Sequence, residues 1–252
     1  MLLLVDAGNT MIKWALAAPG PCSPDNWLHS GAVTHSEMGQ LEQDWCDQKI
    51  SRALVSNVAS KSRRSQLEQL LAGLQAKPFP VEWFAAAPEL AGVRNGYRNP
   101  AQLGCDRFAA MIGAHALFPS QALVVATCGT ATTVDAVTAD GLFVGGMILP
   151  GLGLMATSLA RNTARLPQVA RDSLAFNPFA DNTNDAIVSG CIAAQTGAIE
   201  HAATLHAQRL NAEVLCVLSG GAAAAVAPHL SVAHKIVDNL VMIGLHTVAL
   251  SS

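Results

Sequence analysis

The hydrophobic pattern begins with Leu2–Leu16, an apolar run that breaks at Asp6-Ala7-Gly8-Asn9-Thr10 and resumes as alternating apolar and polar residues. This predicts a strand, a tight polar turn and a returning strand. The same pattern recurs at Ala122–Thr138, again an apolar strand, a Gly-centred polar turn and a β-branched strand. Gly8 and Gly129 stand 121 residues apart, close to half of the 252-residue chain. The echo predicts a duplicated fold, with one domain over 1–118 and the other over 119–252.

The remaining pattern fills in each half. Between Ala18 and Asp47, Pro19, Pro21, Pro24 and several polar residues read as a loop and then one or two edge strands, with Gly31–Thr34 the best candidate. Ala53–Val58 reads as a strand. Leu67, Leu70, Leu71 and Leu74 recur at i, i+3, i+4 and i+7 for an amphipathic helix that Pro78 ends. Val81–Ala85 is a strand, and a helical run covers Asp106–Phe118. In the second half, Leu142–Leu149 reads as a strand, Pro150-Gly151-Leu152-Gly153 opens a helix through Arg161, and Asn162–Asp185 is a loop region. Asp185–Leu210 is the longest helical pattern, Glu213–Leu218 a buried strand, Ala222–Ala227 a short helix and Asp238–Leu250 a closing helix. Strands and helices mixed in this order belong to the α/β class, with mixed sheets flanked by helices.

The polar turns carry the first candidate chemistry. Asp6 falls at the carboxyl end of a strand, and Gly8 can take positive φ and let backbone N–H groups approach an oxyanion. A carboxylate beside such a turn suits a divalent cation that accompanies a phosphate. The same residues also make an ordinary hairpin turn. Two such turns, one in each half, suit a polyphosphate gripped from both sides.

A second candidate is Gly92–Arg107, a polar loop with Arg94, Arg98 and Arg107 directly ahead of a helical run, which makes a natural anion or polar-ligand site. Asp106 is either a carboxylate stabilising the first helical turn by about 0.3–1 kcal/mol or a general base aimed into a cleft. Ser219-Gly220-Gly221, at a strand end before a helix, either lets a flat ring such as adenine lie against backbone or serves as turn and packing glycines.

Composition narrows the classes. Just over half of the residues are apolar and 13% are charged, ample for a core. A net charge of −3 with scattered Lys and Arg, and a single Tyr, argue against nucleic acid as a direct ligand. The start MLLLVDAG lacks a basic n-region, and no apolar stretch reaches about 18 residues, so neither a signal peptide nor a membrane span is expected and a cytoplasmic setting is. The six cysteines show no C-x-x-C spacing, which argues against structural zinc, and the eight histidines are dispersed enough to read as surface or packing residues.

Five motifs in order then carry a resemblance: Asp6-Ala-Gly-Asn-Thr10; Asn99-Pro100 with Leu103-Gly104-Cys105-Asp106-Arg107; Cys128-Gly-Thr-Ala-Thr-Thr-Val-Asp135; Gly145-Gly146 with Pro150-Gly151; and Asn182-Thr183. With them the chain resembles the type III pantothenate kinases, relatives of acetate and sugar kinases, actin and the heat-shock chaperone ATPases. The resemblance spans the chain and implies two actin-like (ribonuclease H-like) domains with an ATP cleft between them. It implies transfer of the γ-phosphoryl of ATP to the primary hydroxyl of pantothenate, the first step towards coenzyme A. Carried over residue by residue, Asp106 accepts the hydroxyl proton, Gly104, Cys105, Asp106 and Arg107 hold the substrate, and Tyr97 and Thr183 line its pocket. Asp6, Ala7, Gly8, Asn9, Thr10, Met11, Ile12, Lys13 and Thr130 hold the nucleotide, with Asp6 also meeting the Mg²⁺ that travels with ATP.

The bottom-up chemistry agrees, because phosphoryl transfer mostly needs a positioned hydroxyl, a nearby carboxylate and groups that neutralise phosphate charge. There is no G-x-x-x-x-G-K-[ST] loop, so hairpin turns and Mg²⁺ must substitute for its lysine. The family often has an Asp where this chain has Thr127, at a site for K⁺ or NH₄⁺. A hydroxyl without charge predicts a weak response to that cation. The resembled family is usually homodimeric, and the small residues Gly190, Ala193, Ala194, Gly197 and Ala198 permit close helix packing, in a dimer or between domains. It also includes the Bvg accessory factor, named for an effect on transcription, so a nucleotide-binding regulatory protein is the alternative. Intact Asp6, Asp106 and Arg107 speak against it, and the Gly-Cys-Asp-Arg pattern speaks against other sugar or acid kinases.

Overall fold

The computed structural model describes residues 1–18, 27–74, 78–169 and 176–251. The loop of Pro19, Pro21 and Pro24 and part of the 162–185 loop lie outside them. The chain divides into two compact units, Met1–Leu117 with Asn239–Ser252, and Phe118–Asp238.

The first unit runs β1 (Leu2–Ala7), β2 (Met11–Ala17), β3 (Trp27–Thr34), α1 (Gln40–Trp45), β4 (Arg52–Asn57), α2 (Lys61–Gly73), β5 (Val81–Phe84), the short strands β6 (Glu89–Leu90) and β7 (Val93–Asn95), and α3 (Cys105–Leu117). Its sheet has the order β3-β2-β1-β4-β5. The first three strands form an antiparallel meander, whereas β4 runs parallel to β1 and β5 to β4. β1 is apolar throughout its first residues because both of its faces are covered. On one face Leu3, Val5, Ile12, Trp14 and Leu16 join Leu41 and Trp45 of α1 and Leu67 and Leu71 of α2 in one buried cluster. Trp14 and Trp45 meet edge to face at 5.9 Å. α2 starts at Ser60, whose hydroxyl accepts from the Arg63 N–H and satisfies an open donor of the first turn.

The second unit runs β8 (Ala122–Cys128), β9 (Ala131–Val137), β10 (Leu142–Pro150), α4 (Leu152–Asn162), α5 (Thr183–Leu210), β11 (Val214–Ser219), α6 (Ala223–Val226) and β12 (His234–Ile236). Its strands lie in the order β12-β11-β8-β9-β10, with β8, β9 and β10 antiparallel in sequence and β11 parallel to both β8 and β12. The topology repeats that of the first unit strand for strand. Val124, Ala126, Cys128, Val134, Cys216 and Leu218 pack with Ile199 and Ala203 of α5, so this long helix is a wall of its own unit. Its small residues Gly190, Ala193, Ala194 and Gly197 are exposed.

α7 (Leu240–Ser251) then leaves the second unit and packs on α3. The two helices touch backbone to backbone: a Cβ at Gly113 would stand 2.6 Å from the Leu240 carbonyl oxygen, and one at Gly244 would overlap the Ala109 carbonyl. The expected halves of 1–118 and 119–252 therefore differ from the observed units in their last residues. The chain passes into the second unit at Phe118, and Asn239–Ser252 return to the first. No helix among the described residues is long and apolar enough to cross a membrane.

Candidate active site

Strand register decides what the first turn can offer. Asp6 lies opposite Lys13 on β2 and opposite Ser56 on β4. Ala7 and Ile12, on the alternate face, are buried in the core, so only their backbone is open to a ligand. Gly8 closes the turn by donating its N–H to the Met11 carbonyl at 3.0 Å, and Asn9 and Thr10 are exposed. Gly8 does not use the left-handed backbone expected of it, which falls instead to Gly92, Gly141, Gly145 and Gly220. What Gly8 supplies is room, since a Cβ there would sit 3.3 Å from the Met11 carbonyl oxygen.

Asp6 is an unusual carboxylate. Burial, followed by the nearby charge of Asp106, pushes its pKa up to about 7, against the pull of Lys13 and of a hydrogen bond from Ser56. Its Oδ1 is shut off from solvent with no hydrogen-bond partner among the described residues. A buried carboxylate oxygen left without a partner fits a divalent cation. Among the described residues no three His, Cys, Asp or Glu cluster as a metal cage, so such an ion would share Asp6 with phosphate oxygens, as Mg²⁺ commonly does.

Asp106 sits in the first turn of α3, where its Oδ1 accepts from the Arg107 backbone N–H at 2.8 Å. Gly104 makes room for it, because a Cβ there would come within 2.7 Å of the same oxygen. Burial raises the Asp106 pKa above the ordinary carboxylate range, while the Arg107 N–H and guanidinium pull the other way. Arg107 is buried, at 6% exposure, and donates from Nη1 to the Tyr97 hydroxyl at 3.0 Å. Tyr97 is in turn placed by Asn95, whose Oδ1 accepts the Tyr97 N–H at 3.1 Å and whose Nδ2 donates to the Pro100 carbonyl at 3.1 Å. The loop read from sequence as polar is thus a built scaffold for Tyr97 and Arg107.

Cys105 turns the other way, with its Sγ 3.4 Å from the Ser56 hydroxyl and 3.5 Å from the Asn57 carbonyl oxygen. It anchors the start of α3 to the end of β4, and through Ser56 to Asp6. Sequence reasoning missed Ser56. Its one signal was a polar residue inside the apolar run Ala53–Val58, at the same strand end as Asp6.

In the second unit the Gly129 turn, Pro150-Gly151 and the Ser219-Gly220-Gly221 strand end converge. Gly129 N–H donates to the Ala131 carbonyl at 3.0 Å, leaving Thr130 exposed at the turn. Gly151 donates its N–H to the Thr130 carbonyl at 2.9 Å, and a Cβ on Gly151 would overlap the Gly129 carbonyl oxygen. Gly220, at φ +93°, passes so close that a Cβ would lie 2.5 Å from the Cys128 carbonyl oxygen, which also accepts from Ala222 N–H at 3.0 Å. Thr127 lies opposite Thr133 and Ser219, and the buried Thr133 hydroxyl has no partner among the described residues. Thr183 is exposed at the start of α5, beside Asn182, whose Oδ1 caps the helix by accepting the Asp185 N–H at 3.0 Å.

Comparison with known proteins gives this geometry a context. A model of the type III pantothenate kinase family matches residues 2–205. The type III pantothenate kinase of Janthinobacterium sp. (strain Marseille) is 60% identical over 99% of this chain and 98% of its own. That of Herminiimonas arsenicoxydans is 59% identical over the same shares. Among solved structures, a glucokinase from an Antarctic psychrotroph is similar with a TM-score of 0.51 at 12% identity, covering 100% of this chain and 99% of its own.

Proposed function

The chain belongs to the type III pantothenate kinase family, on the actin-like fold of the sugar kinases, and its reaction is ATP-dependent phosphorylation of pantothenate in coenzyme A biosynthesis; we propose that Asp106 is the general base of that reaction. The observation that carries the assignment is a carboxylate in the first turn of α3, desolvated enough to be a stronger base than usual and close enough to Asp6 to raise its pKa.

Asp106 takes the proton of the primary hydroxyl as that oxygen bonds to the γ-phosphorus, and ADP departs as 4′-phosphopantothenate forms. Arg107, fixed by Tyr97, holds the acceptor, with Tyr97, Gly104 and the Cys105 backbone lining its pocket. The turn Asp6–Lys13 holds phosphates through backbone N–H groups and the Lys13 ammonium. Asp6 would hold Mg²⁺, which supplies charge neutralisation on the phosphates when bound. The regulatory alternative is not favoured, given relatives at 60% identity that are kinases.

A homodimer is part of this reading, supported by the exposed small-residue face of α5 and by the exposed Ile148, Leu154 and Leu159 of the same unit. ATP as donor and free thiols at Cys46, Cys105, Cys128, Cys191 and Cys216 support a cytoplasmic setting.

The test is phosphopantothenate formation with ATP and Mg²⁺ by the protein and by Asp106→Asn. Turnover should fall by about a thousandfold in the variant, with ATP and pantothenate affinities within about twofold. Turnover retained within tenfold refutes the base assignment.

A further inference from the structure

His35, which its sequence context leaves as a packing residue, does something more specific. It follows β3 directly, and β3 pairs with β2 so that Thr34 stands opposite Met11. The first residue past β3 therefore lies beside the β1–β2 turn. His35 Nε2 is 2.8 Å from the Gly8 carbonyl oxygen. A carbonyl can only accept, so Nε2 carries the proton.

The bonded oxygen belongs to the peptide group whose N–H is that of Asn9. Because the peptide is planar and trans, fixing the Gly8 oxygen fixes the direction of the Asn9 N–H on the opposite side, and the hydrogen bond polarises it as a donor. His35 is itself held from both sides. Glu37 accepts from the Thr34 N–H at 3.1 Å and from its hydroxyl at 2.7 Å, and Arg63 Nη1 donates to the His35 carbonyl at 3.4 Å. Its Nδ1 is buried with no partner among the described residues, a cost tolerated for the sake of the ring's position.

The second unit supplies an independent parallel. There the third strand, β10, ends with Pro150 opposite Ala131, and the next residue, Gly151, donates its backbone N–H to the Thr130 carbonyl at 2.9 Å. In both units the residue just past the third strand clamps a carbonyl of the phosphate-type turn, by a side chain in one and by backbone in the other.

We propose that His35 is a positioning residue for the nucleotide: by holding the Gly8–Asn9 peptide it aims the first turn's N–H groups at a phosphate of ATP. This rests on the reading of that turn as a nucleotide site. The experiment compares His35→Phe and His35→Gln with the unaltered protein, reading the KM for ATP, the KM for pantothenate and the ADP dissociation constant by calorimetry.

His35→Phe, which keeps a ring but no donor, should raise the ATP KM and the ADP dissociation constant about fivefold, with the pantothenate KM unchanged. His35→Gln places an amide N–H near the Nε2 position and should restore both to within about twofold. Should His35→Phe fail to fold, His35→Asn, whose amide falls short of Gly8, takes its place. Gly8→Val serves as the control for the underlying reading. If it weakens ADP while His35→Phe does not, the positioning role is overturned and the turn remains a nucleotide site. If neither weakens ADP, both ideas fall, and an equal rise in both KM values that Gln does not rescue reduces His35 to packing.

Discussion

At the end of β1 the residues facing one another across the sheet are Asp6, Lys13 and Ser56; at the corresponding place in the second unit they are Thr127, Thr133 and Ser219. The strands, their order and the serine repeat, while the two charged positions become hydroxyls. The first turn carries formal charge, on Asp6 and Lys13. The second is neutral, and its shape is set by backbone packed against backbone, with Gly151 and Gly220 each admitting no side chain. One hairpin topology is thus kept by two different physical means, electrostatics in one copy and steric closeness in the other.

The sharpest way to break this contrast is at the glycines. Gly151→Ala should cost about 4 kcal/mol or more, because its Cβ meets a carbonyl that cannot step aside, whereas Gly8→Ala should cost less than about 1 kcal/mol. Denaturant midpoints measure both, and equal losses would contradict the division.

A smaller effect separates the charged positions. The Asp6 carboxyl titrates near 3.8 when unfolded and at about 7 in the fold. The folded state therefore holds the extra proton between those values, and stability falls as pH rises from about 4 to about 7, then levels. For the Mg²⁺-free protein the loss should approach about 4 kcal/mol. Asp6→Asn should remove most of that slope, leaving the part that the raised Asp106 carboxyl contributes, while Thr127→Ala leaves it intact, and thermal melts across pH with a metal chelator decide it.

The smallest effect concerns monovalent cations. With a neutral Thr127, K⁺ should change turnover by less than about twofold relative to Na⁺. Thr127→Asp should steepen the response, and near-zero activity of the unaltered protein without K⁺ would show that its site needs no carboxylate.

What was legible in the sequence is what local pattern encodes. Asp6–Thr10 and its echo at Gly129 could be read as hairpins because the alternation on either side is local, and Asp106 stood out beside Gly104 and Arg107. His35 and Ser56 were not legible, since each reaches the turn through strand pairing, β3 on β2 and β4 on β1, that no periodicity specifies. α1 falls in a stretch that reads as loop and edge strand because only Leu41 and Trp45 mark its buried side, and β6, β7 and β12 are too short to carry an alternation. The destination of α7 was hidden for another reason. Its strongly apolar sequence says that it is buried, and only the glycine contacts with α3 say against what.

That return of α7 also orders events in time. A ribosome delivers residues 118–238 before the helix that completes the first unit, so the second unit can close during synthesis while α3, with Asp106 at its head, waits for Gly244 to emerge. A nascent chain stalled after Asp238 would carry every motif of the kinase and still lack the wall against which α3 is set.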